Sequence, residues 1–287
     1  MTDQTSSVPV VETGFVDLGD LHMYYEVHGG ATDSTPLVLL HGGLFDIEQQ
    51  FGALIPFFAS RRRVIGVDFQ GHGRTNDLDR PFSATAFAGD VLGVLDHLGV
   101  RRADIFGFSV GGGVALDLAI DHPDRVRKVI ISSASFAASG MRGSDNADAV
   151  GAMTVDMIAG TPMADAYLAK SPHPDLEHLQ GLLDKLAATY ESGFPDRTAA
   201  EIRAIEAPTL ITVGDADMVS LEHAVEFLRL RGGDVNGDFV GVPASHLAVF
   251  PGTTHFFGLA RTDLVRDVVI GFLDAPLAEA GETGLEI

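Results

Sequence analysis

A serine hydroxyl is a nucleophile near neutral pH only when a base takes its proton. The sequence offers such a serine in Gly107-Phe108-Ser109-Val110-Gly111, a G-x-S-x-G string between an apolar run of strand length, 103–108, and a helix-forming run, 110–121. In that setting the turn holds the seryl oxygen out at its head while strand and helix approach closely. Residues without bulk permit the approach, and Gly107, Gly111 and Gly112 provide them. The helix that starts there points its free amides and positive end at any oxyanion forming beside the serine. A base and an orienting acid are then required, with the acid earlier in the chain than the base. His255 stands in Pro251-Gly252-Thr253-Thr254-His255-Phe256-Phe257, directly after the apolar Leu247-Ala248-Val249-Phe250. Asp215 and Asp217 both stand in Gly214-Asp215-Ala216-Asp217, just after the apolar run 209–213. With no cysteine in the chain, a thiol nucleophile, a disulfide framework and a cysteine-ligated metal are all excluded.

The elements that must position these residues follow from apolar patterning. Residues 14–18 and 21–27 read as a hairpin turning at Gly19-Asp20. Pro36-Leu37-Val38-Leu39-Leu40 is a continuous apolar run ending at His41-Gly42-Gly43, the pattern of a strand buried on both faces. The same unit recurs at 64–67 ending in Asp68, at 103–108 ending in Ser109, at 129–131 ending in Ser132-Ser133, and at 209–213 ending in Gly214-Asp215. Helical stretches lie between them: 83–98 with Ser83 as N-cap, 110–121 stopped before Pro123, and 221–231 closed by Gly232-Gly233. This alternation predicts a mostly parallel, doubly wound α/β sheet, with reactive groups gathered beyond the carboxyl ends of its strands. Residues 136–207 break the rhythm and read as a helical insertion, patterned most clearly over 175–190. Met141, Met153, Met157 and Met163 fall within it and suit an adaptable apolar wall, as do Phe136, Tyr167, Tyr190 and Phe194. The domain reading is a core of 1–135 and 208–287 with a helical cap over 136–207.

Taken together, these residues resemble the α/β-hydrolase fold superfamily over about residues 14–273. His41-Gly42-Gly43-Leu44 resembles its H-G segment after the third strand, and Asp68-Phe69-Gln70-Gly71-His72-Gly73-Arg74-Thr75 resembles its D-x-x-G-H-G-x-S segment. Gly214 to Asp217 resembles its G-x-x-D acid loop. The resemblance implies an eight-stranded sheet and a triad of Ser109, Asp217 and His255, with Asp217 preferred over Asp215 as the last residue of G-x-x-D. His246 precedes the final strand, whereas the base hangs from the loop beyond it. The oxyanion hole maps onto the amide of Val110 and one from Leu44 or Gly43, with Leu44 favoured, and His41 and His72 map onto positions that shape loops. Haloalkane dehalogenases and epoxide hydrolases carry Asp where this chain has Ser109. Gly232 to Ser245 departs from the pattern and reads as a surface loop.

The expected activity is cleavage of a small to medium, mainly apolar carboxylic ester through an acyl-enzyme, with Phe136, Met141, Met153 and Met157 expected to line the substrate pocket. The fold also hosts lactonases, carbon–carbon bond hydrolases, cofactor-free perhydrolases or haloperoxidases, and non-catalytic small-molecule receptors. The 19 basic against 40 acidic residues give a formal charge of −21, which repels nucleic acid and anionic membrane surfaces. Neither is an expected partner; a small-molecule substrate is. No cofactor and no metal is expected, because His173 and His178 lie five apart and do not share a helix face well. The polar N-terminus and the lack of an apolar run approaching about 20 residues point to the cytoplasm. Oligomeric state is not legible.

Overall fold

The computed structural model describes residues 10–30, 34–142, 152–191 and 196–277. Its centre is an eight-stranded sheet: β1 Val10–Leu18, β2 Leu21–His28, β3 Leu37–Leu40, β4 Val64–Val67, β5 Ala103–Phe108, β6 Val126–Ser132, β7 Thr209–Ala216 and β8 Ser245–Thr254. The spatial order is β1-β2-β4-β3-β5-β6-β7-β8. β2 runs antiparallel to both β1 and β4, and all other neighbours are parallel. The fold is therefore the mostly parallel, doubly wound architecture that the strand–helix alternation implies.

Side chains alternate across a strand, so each strand feeds two apolar layers. Val38 and Leu40 of β3 pack on one side with Ile65, Val67, Ile105 and the helices Ala84–His97 and Val110–Asp121. Leu37 and Leu39 pack on the other with Phe51, Phe58, Phe106, Phe250 and the helix Thr262–Asp274. β3 and β4 are buried along their whole length, which explains why both read as unbroken apolar runs. The Ser83 hydroxyl accepts from the amide of Ala86 and starts the first long crossover helix.

Between β6 and β7 the described residues include four α-helices, at Val155–Ile158, Pro162–Lys170, Leu176–Glu191 and Ala199–Ala204. Leu179, Leu182, Leu183 and Leu186 are buried along one face of the longest. Two lysines tie these helices to the core loops. Lys170 Nζ reaches Asp46 at 2.8 Å and Glu48 at 2.9 Å, and Lys185 Nζ reaches Asp77 at 2.6 Å.

The contact that matters most for the site is between β5, β3 and the helix Val110–Asp121. A Cβ on Gly111 would lie 2.2 Å from the Leu40 carbonyl oxygen, and one on Gly107 would lie 2.0 Å from the Gly111 carbonyl oxygen. Both obstacles are backbone and cannot rotate aside. Gly111→Ala is expected to lower stability by about 2–3 kcal/mol, read by urea unfolding. An unchanged midpoint would show that strand and helix can separate without cost.

Candidate active site

Ser109 follows β5 with φ 53° and ψ −115°, a backbone conformation costly for a residue with a Cβ. Its amide donates to the Ser132 carbonyl at 2.9 Å, and its carbonyl accepts from Gly113 at 3.0 Å. The turn projects the hydroxyl out of the sheet, where Ser109 Oγ lies 2.9 Å from His255 Nε2. His255 Nδ1 lies 2.8 Å from Asp217 Oδ1. With the proton on Nδ1 donated to the carboxylate, Nε2 is left to accept the hydroxyl hydrogen.

Three strand ends converge to give this geometry. His255 comes directly after β8 and Asp217 directly after β7, which pairs in parallel with β8. Asp215 serves the backbone instead, its Oδ1 accepting the amides of Gly252 at 2.8 Å and Thr253 at 3.3 Å and so securing the segment that leads into His255. Asp217 accepts from His255, from the Ser133 hydroxyl at 2.6 Å, and from the amides of Val219 at 3.1 Å and Gly214 at 3.3 Å. Burial pushes the Asp217 carboxyl upward, and the bond and charge of His255, then the bonds from Ser133 and Val219, outweigh it and hold the carboxyl below its ordinary value.

Leu44 has φ 68°, and its amide and that of Val110 have no hydrogen-bond partner among the described residues. A Cβ on Gly42 would lie 3.3 Å from Ser109 Cβ, and one on Gly43 would lie 3.4 Å from Val110 Cγ2. The glycine loop after β3 therefore runs against the serine turn.

His41 and His72 sit beneath that loop and stay uncharged. The His41 Nδ1–H donates to the Gly42 carbonyl at 2.7 Å, and Nε2 accepts the Phe69 amide at 3.0 Å. His72 Nδ1 donates to the Gln70 carbonyl at 2.9 Å. Burial, with a smaller push from His72, brings the pKa of His41 down to about 3, and burial brings that of His72 down to about 4. Asp68 accepts the amides of Ile47 and Arg74. Burial, offset only in part by those two amides, pushes it up to about 7. Gly73, at φ 52°, leaves room for it, since a Cβ there would lie 2.1 Å from Asp68 Oδ2.

A cleft opens over Ser109 and His255. Its wall is formed by the 42–45 loop, Phe108, Met153, Leu186, Met218 and Phe256. Of the side chains expected to line a substrate pocket, Met153 does so. Phe136 does not: it stacks on the His223 ring at 4.0 Å and meets Phe227 edge-on, because His223 anchors its amide at 3.2 Å. Met141 forms a bridge with Val219 and packs on the core instead. Met157 is 65% exposed, being on the outer side of a helix of one turn. Phe194 lies outside the described residues. Phe45, Leu186, Met218 and Phe256 are not expected in the wall from sequence: Leu186 belongs to the leucine face of the helix Leu176–Glu191 and Phe256 to the segment after His255, but nothing in residue type shows which of them faces the cleft.

The remaining candidates lie elsewhere. His246 Nε2 binds the Pro243 carbonyl at 3.0 Å, at the far end of β8. His178 pairs with Asp175 and stacks on His173, and no group of three metal-ligating side chains is found among the described residues. The 232–245 segment contains a short helix, Gly237–Val240, and contributes nothing to the cleft wall. No described helix is long and apolar enough to cross a membrane.

An eight-stranded sheet with a strained serine turn at the head of β5 defines the class of protein. The alpha/beta hydrolase fold family matches residues 35–151. The enol-lactonase from Burkholderia xenovorans LB400 superposes with a TM-score of 0.68 at 20% identity, covering 91% of this chain and 100% of that one. The chain has the α/β-hydrolase fold. It is 34% identical over 122 residues to the candidate carbamate hydrolase RutD of Caulobacter sp. (strain K31), a match spanning 42% of this chain and 44% of that protein. It is 36% identical over 99 residues to 2-hydroxymuconate semialdehyde hydrolase of Pseudomonas sp. (strain CF600), spanning 33% and 35%. The chain thus aligns with less than half the length of these curated relatives.

The two buried histidines give the loops a pH dependence. The ordinary histidine value is 6.5, so an unfolded chain takes up a proton between pH 6.5 and about 4 that folded His72 refuses. Stability therefore falls as the pH drops through that window, and His41 extends the effect to about pH 3. Asp68 acts in the opposite sense, since the folded form holds a proton below pH 7 that the unfolded chain releases down to its ordinary value of 3.8. His72→Asn keeps a donor for the Gln70 carbonyl and removes the titrating ring. Its loss of stability between pH 6 and 4 is expected to be shallower by up to about 1.4 kcal/mol per pH unit in urea unfolding. An identical slope in both proteins would rule this out.

Proposed function

We propose that the protein is a serine hydrolase that cleaves a small to medium, mainly apolar carboxylic ester through an acyl-enzyme. The observation that carries this reading is the unbroken hydrogen-bond chain from Ser109 through His255 to Asp217, open to a cleft at its serine end. In the first half-reaction Ser109 Oγ attacks the ester carbonyl carbon as its proton passes to His255 Nε2. The imidazolium that forms is balanced by Asp217, and the tetrahedral oxyanion is held by the amides of Val110 and Leu44. Collapse expels the alcohol, which takes the proton from Nε2, and leaves the acyl group on Ser109. In the second half a water gives its proton to Nε2, attacks the acyl carbon, and releases the acid and the free serine.

The helices of 136–207 act here as a cap, since Met153 and Leu186 supply one wall of the cleft. Among the described residues that wall contains no lysine or arginine. A carboxylate carried on the acyl group would be taken out of water with no cation to meet it, which costs several kcal/mol. The lining thus supports a neutral ester over an acid-bearing substrate.

Ser109→Ala is expected to reduce kcat/KM for p-nitrophenyl butyrate by at least about 10³-fold without loss of folding. A fluorophosphonate probe should label the wild type stoichiometrically at Ser109; labelling at another residue, or undiminished turnover by the variant, refutes the assignment. p-Nitrophenyl hydrogen succinate, of similar acyl length but anionic, should be turned over with kcat/KM about 100-fold below that of the butyrate, equivalent to about 3 kcal/mol. Equal rates on the two esters would show that the cleft does not select against charge.

A further inference from the structure

Four described residues other than glycine have positive φ: Leu44, Ser109, Ser133 and Asp234. Asp234 is on the surface, paired with Arg229. The other three lie beyond the carboxyl ends of β3, β5 and β6, around one site. A side chain kept where glycine would be relaxed persists when its surroundings require it. For Leu44 and Ser109 the requirement is the turn geometry already described.

At Ser133 the requirement is its hydroxyl. Ser133 is 3% exposed, and its Oγ donates to Asp217 Oδ2 at 2.6 Å while its amide donates to the Thr212 carbonyl at 2.8 Å. The adjacent Ser132 carbonyl accepts the Ser109 amide. Two consecutive residues at the end of β6 therefore hold the serine turn on one side and the acid on the other. The segment carrying His255 closes over this contact, since a Cβ on Gly258 would lie 3.2 Å from Ser133 Oγ. The carboxylate of Asp217 faces His255 through Oδ1, Ser133 through Oδ2, and the amides of Val219 and Gly214. The nearby cation Arg142 donates through Nε to the Asp217 backbone carbonyl.

We propose that Ser133 is a positioning residue for the Asp217–His255 pair, fixing the rotation of the carboxylate so that Oδ1 stays on the Nδ1–H of His255. This rests on the serine-hydrolase reading above. Glycine accepts the backbone of position 133 with no strain but lacks the donor, so Ser133→Gly separates the hydroxyl from the turn; Ser133→Ala removes the hydroxyl and keeps the Cβ. Both variants, with Ser109→Ala as control, are assayed on p-nitrophenyl butyrate across pH, alongside urea unfolding. The expected result is a fall in kcat of roughly tenfold in both, with KM unchanged. The acid limb of the kcat/KM profile, set by protonation of the base, is expected to move to higher pH, because a carboxylate with one donor fewer keeps more of its charge for the imidazolium beside it. A fall in kcat with the acid limb unmoved, or a Ser133→Gly enzyme equal to the wild type, overturns the proposal. Undiminished turnover by Ser109→Ala overturns the serine-hydrolase reading and the proposal with it, and so is told apart from failure of the proposal alone.

Discussion

The site depends on one reversal of the backbone, at Ser109, made within van der Waals reach of a neighbouring strand. The residue is forced to positive φ because β5 ends and a helix begins with no intervening loop. Only a helix start stripped of side chains fits there, with Gly111 against the Leu40 carbonyl and Gly107 against Gly111. The strain at the serine is offset by the two apolar layers that clamp β5 in the middle of the sheet. A less buried strand could not hold the turn in so costly a shape.

From that fixed point the remaining parts are set by strand order. β6 lies beside β5, β7 beside β6 and β8 beside β7, all parallel, so their carboxyl ends present Ser133, Asp217 and His255 on one edge. The glycine loop after β3 approaches from the other side of β5. Residues far apart in the chain meet because parallel strands all end at the same edge of the sheet. The groups beneath the loops are tuned mainly by burial: the histidines at positions 41 and 72 are kept neutral, and Asp68 takes its hydrogen bonds from backbone amides with Arg74 alongside.

Much of this was readable in the sequence, for a physical reason. Fully buried parallel strands must be continuously apolar and must stop at polar residues, so β3 to β7 and the residues at their ends announced themselves. The doublet Asp215 and Asp217 is separable in the sequence only through family spacing, because both residues follow the same strand; in the folded protein one serves the backbone of the 252–253 segment and the other the imidazole. The lining of the cleft was much less legible. Met153 and Met157 belong to the same insertion, yet one faces the cleft and the other solvent. Phe136 is drawn away by the ring of His223, a partner 87 positions distant that no local pattern reveals. Ser133 was visible only as a polar strand end, since its positive φ is not a property of serine.

The placement of charge in the insertion shows how an apolar cleft can sit in so acidic a protein. Lys170 and Lys185 are spent on Asp46, Glu48 and Asp77, outside the cleft wall. Asp46 is almost fully buried, so its carboxylate depends on Lys170 for compensation, and removing the lysine would leave an unpaired charge in the loop that leads from β3. Asp46 also caps the helix Ile47–Phe51 through the Gln49 amide, which couples the insertion to the loop bearing Leu44. These ion pairs give the helices above the cleft a fixed attachment that does not use the lining. The wall facing Ser109 and His255 is then left mainly to leucine, methionine and phenylalanine side chains and the glycine loop after β3, with the lysines held outside it.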